Sequence, residues 1–252
     1  MRRGKIALRE AKVEGGIVRG VRANIPRFTV FKGIPYAAPP VGELRWKKPQ
    51  PVIPWEGVRV CDKFGYSAPQ PPSINDRVYS YDLYPEYDMS EDCLYLNVWT
   101  PAASPDEKLP VFVWIHGGAF AVGSGDYTIY DGEVYCKQGI VMVSFNYRLG
   151  ALGYLAHPEL SAESEEGISG NYGLYDQIAA LKWVKNNIAA FGGDPDNITI
   201  AGQSAGAGSV LALSVSPITD GLFHKAIVQS GFILGDHFNC NPPSLKYAEE
   251  YG

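Results

Sequence analysis

Cysteine is scarce in this chain, four residues in 252, and Cys61, Cys93, Cys136 and Cys240 show no C-x-x-C spacing. So few thiols in so long a chain are neither a disulfide framework nor a zinc site, and they read as buried side chains. Long apolar runs are absent too. The longest, at 111–115 and 140–143, fall far short of the roughly 20 residues of a membrane helix, so no membrane partner is expected. Basic residues are in the minority, 22 against 27 acidic for a net charge of −5, and they are scattered. The electrostatic footprint of nucleic-acid binding is therefore missing. The basic start MRRGKIALREAKV lacks the apolar core of about 7 to 15 residues of a secretory signal, which points to a cytoplasmic protein. With no repeat, no low-complexity tract and no linker, one domain over residues 1–252 is expected; the Pro-rich stretch at 67–77 is short enough for a surface loop.

What the chain does have is apolar residues, 46% of the total, in strand-sized and helix-sized patterns. Lys12-Val13-Glu14, Gly15-Gly16 and Ile17-Val18-Arg19 predict an antiparallel hairpin. FKGIPYAAPPVGELRW, with its three prolines, predicts irregular backbone. From residue 92 onwards, short runs rich in Val, Ile, Phe and Trp at 94–99, 109–115 and 139–145 predict buried strands. Leu174, Ile178, Leu181, Val184 and Ile188 then step along one helical face, and Gly192-Gly193-Asp194-Pro195 predicts the stop. A strand at 197–201, a small-residue helix from about Ser204 and a strand at 226–229 follow. Such alternation predicts an α/β fold with a mostly parallel sheet.

At the junction of strand and helix stands Gly202-Gln203-Ser204-Ala205-Gly206. This G-x-S-x-G arrangement makes a sharp turn that lifts a nucleophilic serine above the sheet, with the following helix N-terminus favouring developing negative charge. Composition alone yields the bare pattern on the order of 0.2 times per chain, so the flanking strand NITIA and helix GSVLALSV give it its weight. His116-Gly117-Gly118-Ala119-Phe120 follows the strand LPVFVWI directly. Glycines at a strand end leave amides open, and the backbone N–H groups of Gly118, Ala119 and Ala205 are the candidate oxyanion donors around Ser204. His116, which precedes that turn, reads as a loop-orienting residue rather than a general base. Acyl transfer through serine needs no cofactor and no metal.

These two motifs, with FKGIPYAAPPVGELRW at 31–46, SEDCLYLNVWTP at 90–101, NYRLGALGYL at 146–155 and GNYGLYDQIAALKWVKNNIAAFGGDP at 170–195, closely resemble the type-B carboxylesterase family, which includes cholinesterase-like enzymes. The resemblance runs from about Val13 to beyond Ser230. It implies an α/β-hydrolase fold, a small-molecule carboxylic ester as substrate, Ser204 as acyl-accepting nucleophile, and structural ion pairs Arg45–Glu91 and Arg148–Asp176. Three departures stand out. Gln203 occupies a position that is commonly Glu in the family, which removes a negative charge beside the reacting centre and argues against choline-type substrates. No Trp lies between Trp55 and Trp99, so a cation-π platform is missing there, although Tyr79, Tyr81, Tyr84 and Tyr87 can line a pocket. The disulfide partner that the resemblance implies for Cys93 falls at Ala68, leaving a free thiol.

The resemblance also implies an acid and then a histidine after the serine, in that chain order. Only His224 and His237 follow Ser204 in this sequence; His224 reads as structural, ahead of a strand, and His237 as a loop residue. The chain thus resembles the N-terminal half of the family, incomplete at its C-terminus, where PPSLKYAEEYG reads as an opening helix. Three readings follow. In the first, a serine ester hydrolase takes its acid and base from elsewhere, a complementary C-terminal polypeptide included. In the second, the chain is a catalytically incompetent esterase-like fragment or binding module. In the third, a compact hydrolase uses His224 or His237, oriented by Asp220 or Asp236.

Overall fold

The structure, a computed structural model, describes residues 6–71, 88–231 and 244–252. In chain order the strands are β1 (Glu10–Val13), β2 (Gly16–Arg22), β3 (Thr29–Pro35), β4 (Val58–Cys61), β5 (Tyr95–Thr100), β6 (Leu109–Ile115), β7 (Val141–Phe145), β8 (Gly193–Gln203) and β9 (Lys225–Gln229). The α-helices are α1 (Glu133–Lys137), α2 (Gly150–Tyr154), α3 (Pro158–Ala162), α4 (Tyr172–Asn187), α5 (Ala205–Val215) and α6 (Leu245–Glu249). The nine strands among the described residues join one sheet in the order β1-β2-β3-β5-β7-β6-β8-β9, with β4 beside β2. The path from β1 to β7 is antiparallel, β4 pairs parallel with β2, and β7, β6, β8 and β9 run parallel. This is the α/β-hydrolase architecture.

Side-chain alternation divides the strands between two cores, because successive residues of a strand face opposite sides of the sheet. Val111, Val113 and Ile115 of β6 join Val98, Val143 and Ile200 in a large core that α4 and α5 close with Leu181, Trp183, Val184, Val210 and Leu213. Phe112 and Trp114 of β6 point the other way, to Trp99, Met142 and Cys136 of α1. Covered on both faces, β7 is buried at all five positions, which explains why it is apolar except for Ser144, whose Oγ accepts from Asn97 Nδ2. Among the described residues no helix is long and apolar enough to cross a membrane.

Two local expectations need correction. The N-terminal hairpin pairs Val13 with Gly16, so its turn is Glu14-Gly15, one residue earlier than the Gly15-Gly16 pair suggested. The first five residues of FKGIPYAAPPVGELRW are strand rather than irregular backbone: they belong to β3. The strand tolerates them because Pro35 falls at its end and the register shifts between Phe31 and Ile34. At that shift Gly33 takes φ +68° and donates its N–H to Asn97 Oδ1 at 2.9 Å.

The two expected ion pairs form. Arg45 grips Glu91 through Nε at 2.5 Å and Nη2 at 2.7 Å, near the surface. Arg148 grips Asp176 through Nε at 2.8 Å and Nη2 at 2.7 Å, with both side chains buried. The Asp176 carboxylate also accepts the Arg148 backbone N–H at 3.0 Å, and Nη2 reaches Lys47 O at 2.9 Å. One buried pair thus joins the segment after β7, helix α4 and the N-terminal loops.

Removing one partner of such a pair strands a buried charge. Asp176→Ala should lower the unfolding free energy by about 3 to 5 kcal/mol, read from urea denaturation. The other exposed weakness is β9, which has no neighbour beyond it among the described residues and is exposed along its length, Ile227 at 42% and Val228 at 41%. An open strand edge invites pairing. The isolated chain should self-associate in light scattering, and Ile227→Lys should reduce that; a monodisperse monomer at all concentrations would contradict the expectation.

Candidate active site

Ser204 stands between the last residue of β8 and the first of α5, at φ 56° and ψ −124°, a conformation that L residues rarely adopt. The strain is imposed by close packing at both flanks. A methyl group on Gly202 would lie 2.4 Å from the Gly206 carbonyl, and one on Gly206 would lie 2.1 Å from Ile115 O. Neither position admits a Cβ, so the turn is held tight. Ser204 N–H donates to Gln229 O of β9 at 3.0 Å, and Ser204 O accepts from Gly208 N at 2.9 Å as the first turn of α5 begins. The serine is partly exposed and Gln203 is exposed.

The second motif leaves the sheet at the same edge. β6 and β8 run parallel with Ile115 opposite Gly202, so the chain after Ile115 emerges beside the elbow. A methyl on Gly117 would lie 2.6 Å from Gln203 O and 3.2 Å from Ser204 Cβ. Beyond it Gly118, Ala119 and Phe120 take φ of +115°, +54° and +59°. This left-handed stretch turns the chain back so that Gly118 O accepts from Ala121 N at 3.0 Å and Val122 N at 2.9 Å. Among the described residues the N–H groups of Gly118, Ala119 and Ala205 have no acceptor within the protein. Three free amides on two abutting turns are suited to binding an oxygen that gains negative charge.

His116 acts as the loop-orienting residue expected. It is buried, its ring stacks on Tyr147 with centroids 4.3 Å apart, and Tyr147 Oη donates to His116 O at 2.7 Å. Burial lowers its pKa to about 4, so the ring is neutral and Nδ1–H donates to Gly117 O at 2.8 Å.

The other described histidines, His157 and His224, are elsewhere. His224 N–H bonds Ile198 O and its Nδ1 accepts from Ile198 N at 3.1 Å. Ile198, at the middle of β8, precedes Ser204 by six residues, about 20 Å at 3.3 Å per residue, so His224 is displaced along the strand from the serine. Asp220 caps the short turn Pro217–Thr219 that precedes His224 in the chain. His157 caps α3 by accepting from Glu159 N. His237 and Asp236 lie outside the described residues, as do Tyr79, Tyr81, Tyr84, Tyr87 and Cys240. Among the described residues Ser204 Oγ has no hydrogen-bond partner, and no group of three or more His, Cys, Asp or Glu could hold a metal ion. Cys61, Cys93 and Cys136 are free and buried, and burial raises all three thiols, Cys61 to about 11 and Cys136 to about 12.

Several supporting contacts carry no sequence signature. Gln70 bonds the backbone of Gly123, while Asn146 Oδ1 accepts from Gly125 N at 2.7 Å and Ser124 Oγ at 3.0 Å. Ser124 Oγ is also bonded to Ser67 Oγ at 2.9 Å and to the buried Asp126. These contacts span up to 80 residues, as in the Asn146 Nδ2 bond to Tyr66 O, and no local pattern encodes them.

The sequence model described as "Carboxylesterase family" matches residues 6–251. Among curated relatives the chain is 47% identical over 218 residues to "Fumonisin B1 esterase" of Sphingopyxis macrogoltabida, covering 86% of this chain and 38% of that one. It is 48% identical over 221 residues to "Para-nitrobenzyl esterase" of Bacillus subtilis (strain 168), covering 87% and 42%. A solved structure titled "PNB esterase" superposes with a TM-score of 0.77 at 45% identity, over 88% of this chain and 44% of its own. The carboxylesterase of Geobacillus stearothermophilus at pH 6.2 superposes at 0.77 and 45%, over 87% and 43%. The chain spans about two fifths of the length of these curated relatives.

The buried imidazole makes stability depend on pH. Between about 6.5 and about 4 the unfolded chain takes up a proton at His116 that the folded chain refuses, so stability falls on acidification and levels off below the folded value. The span corresponds to roughly 3 kcal/mol. Denaturation midpoints should drop from pH 7 to pH 4.5 by more in wild type than in His116→Gln.

Proposed function

We propose that this chain, which belongs to the carboxylesterase family, carries the nucleophile and oxyanion hole of a serine-dependent carboxylic ester hydrolase. The observation that carries this reading is the partly exposed Ser204 in its strained turn, abutted by a loop whose Gly118 and Ala119 amides have no acceptor among the described residues. In that reading Ser204 Oγ attacks the ester carbonyl carbon and gives up its proton. The carbonyl π pair moves onto oxygen, and the amides of Gly118, Ala119 and Ala205 stabilise it. Each such donor is worth about 2.7 to 4 kcal/mol of barrier. Collapse of the tetrahedral species breaks the bond to the alcohol, which leaves with a proton, and water then releases the acid from the acyl-enzyme.

No described imidazole reaches Ser204, so the proton acceptor and its orienting carboxylate are assigned to polypeptide beyond the described residues. A C-terminal segment or a complementary C-terminal chain is the partner this requires. The substrate class is a small carboxylic ester. Gln203, neutral and exposed beside the serine, supports uncharged rather than cationic alcohols. Three buried unpaired thiols support a reducing, cytoplasmic setting.

Fluorophosphonate labelling and the p-nitrophenyl acetate burst should both map to Ser204 and vanish in Ser204→Ala. Geometry and oxyanion donors without a base should leave acylation on the order of 10³ to 10⁴ over water. Equal labelling of Ser204→Ala, or a wild-type chain inert to both reagents, would favour the binding-module reading instead.

A further inference from the structure

We infer that Gln70 is a positioning residue of the oxyanion loop, acting through Gly123; the inference rests on the reading of Ser204 and the Gly118 and Ala119 amides given above. The Gln70 carboxamide closes a two-bond ring on one peptide residue. Oε1 accepts from Gly123 N at 2.7 Å and Nε2 donates to Gly123 O at 2.9 Å. A further bond from Nε2 to Ala68 O at 3.0 Å fixes the side chain to its own segment, which the bridge between Ser67 and Met89 ties to the strand-bearing body. Gln70 thus presents a neutral donor and acceptor in the geometry that a neighbouring β-strand would offer.

Gly123 is where such a clamp has leverage. It is buried at φ +119°, and a methyl there would lie 2.5 Å from His116 Nδ1 and 2.6 Å from Gly117 O. The closing end of the loop therefore rests directly on its opening end. Gly117 in turn abuts the Ser204 turn. Any outward movement of Gly123 frees Gly117 and Gly118 to move away from the serine, and oxyanion donors are effective only where the charge develops. The remaining anchors differ in kind: Phe120 O accepts from Gly150 N at 2.7 Å at the loop's tip, and Asn146 holds Gly125 beyond its end. Among the described residues only Gln70 bonds Gly123 from outside the loop.

Two substitutions separate this role from bulk. Gln70→Met keeps the length and removes both bonds. Gln70→Glu keeps an acceptor for Gly123 N–H but sets a carboxylate against Gly123 O; once protonated, its hydroxyl donates and the pair of bonds returns. Hydrogen–deuterium exchange of the full chain, followed in peptides covering 116–124, should be about tenfold or more faster in Gln70→Met, because the local opening is no longer opposed. Acylation by p-nitrophenyl acetate should slow by about 10- to 100-fold, the range expected for a displaced catalytic group, with the half-saturating ester concentration unchanged. Gln70→Glu should behave like Gln70→Met at pH 8 and approach wild type near pH 4.5, each compared with wild type at the same pH. Unchanged exchange in Gln70→Met would overturn the clamp, and faster exchange with wild-type acylation would overturn the positioning role. If Gln70→Met fails to fold, the pH-dependent ratio in Gln70→Glu decides. A wild-type chain that does not acylate overturns the reading of Ser204, while the exchange comparison still judges the clamp.

Discussion

The parallel pairing of β6 with β8, Ile115 opposite Gly202, is the constraint on which the site depends. Parallel neighbours end at the same edge of a sheet, so the chain leaving β6 and the chain leaving β8 emerge side by side, one as a glycine turn and the other as the serine elbow. The steric margin is negligible. Gly206 packs against Ile115 O and Gly117 against Gln203 O so closely that neither could carry a methyl group. The two motifs lie almost 90 residues apart in sequence and meet because a hydrogen-bonded ladder holds them in register.

Around this contact the protein uses neutral groups at the centre and charge at the frame. His116 is kept uncharged by burial, the donors at the elbow and loop are backbone amides, and Gln203 and Gln70 are carboxamides. Formal charge is paired further out, in Arg45–Glu91 and the buried Arg148–Asp176. The division has a physical logic. A full charge fixed beside the serine would bias the site before reaction, whereas oriented dipoles act on charge only as it develops. The paired ions, by contrast, hold loops to helix α4 and gain from being fixed permanently.

Much of this was legible in the chain. Buried strands announced themselves through continuous Val, Ile and Phe, helix α4 through its repeat from Leu174 to Ile188, and the elbow through glycines that spare a strained turn its Cβ clashes. Proline misled at β3, because a strand accepts Pro at its end and a glycine bulge within it. The Gly15-Gly16 pair misled by one residue, since Gly16 serves as the first residue of β2 rather than as part of the turn.

Sequence by itself determined the element types, the elbow serine and the open glycine turn, since each depends on short-range sterics and periodicity carried by adjacent residues. Only the tertiary structure decided that His224 bonds the middle of β8, away from the serine, that His116 is neutral under Tyr147, and that Gln70 reaches Gly123. Those outcomes depend on strand order, burial and side-chain contacts between distant segments, which no local window of residues contains.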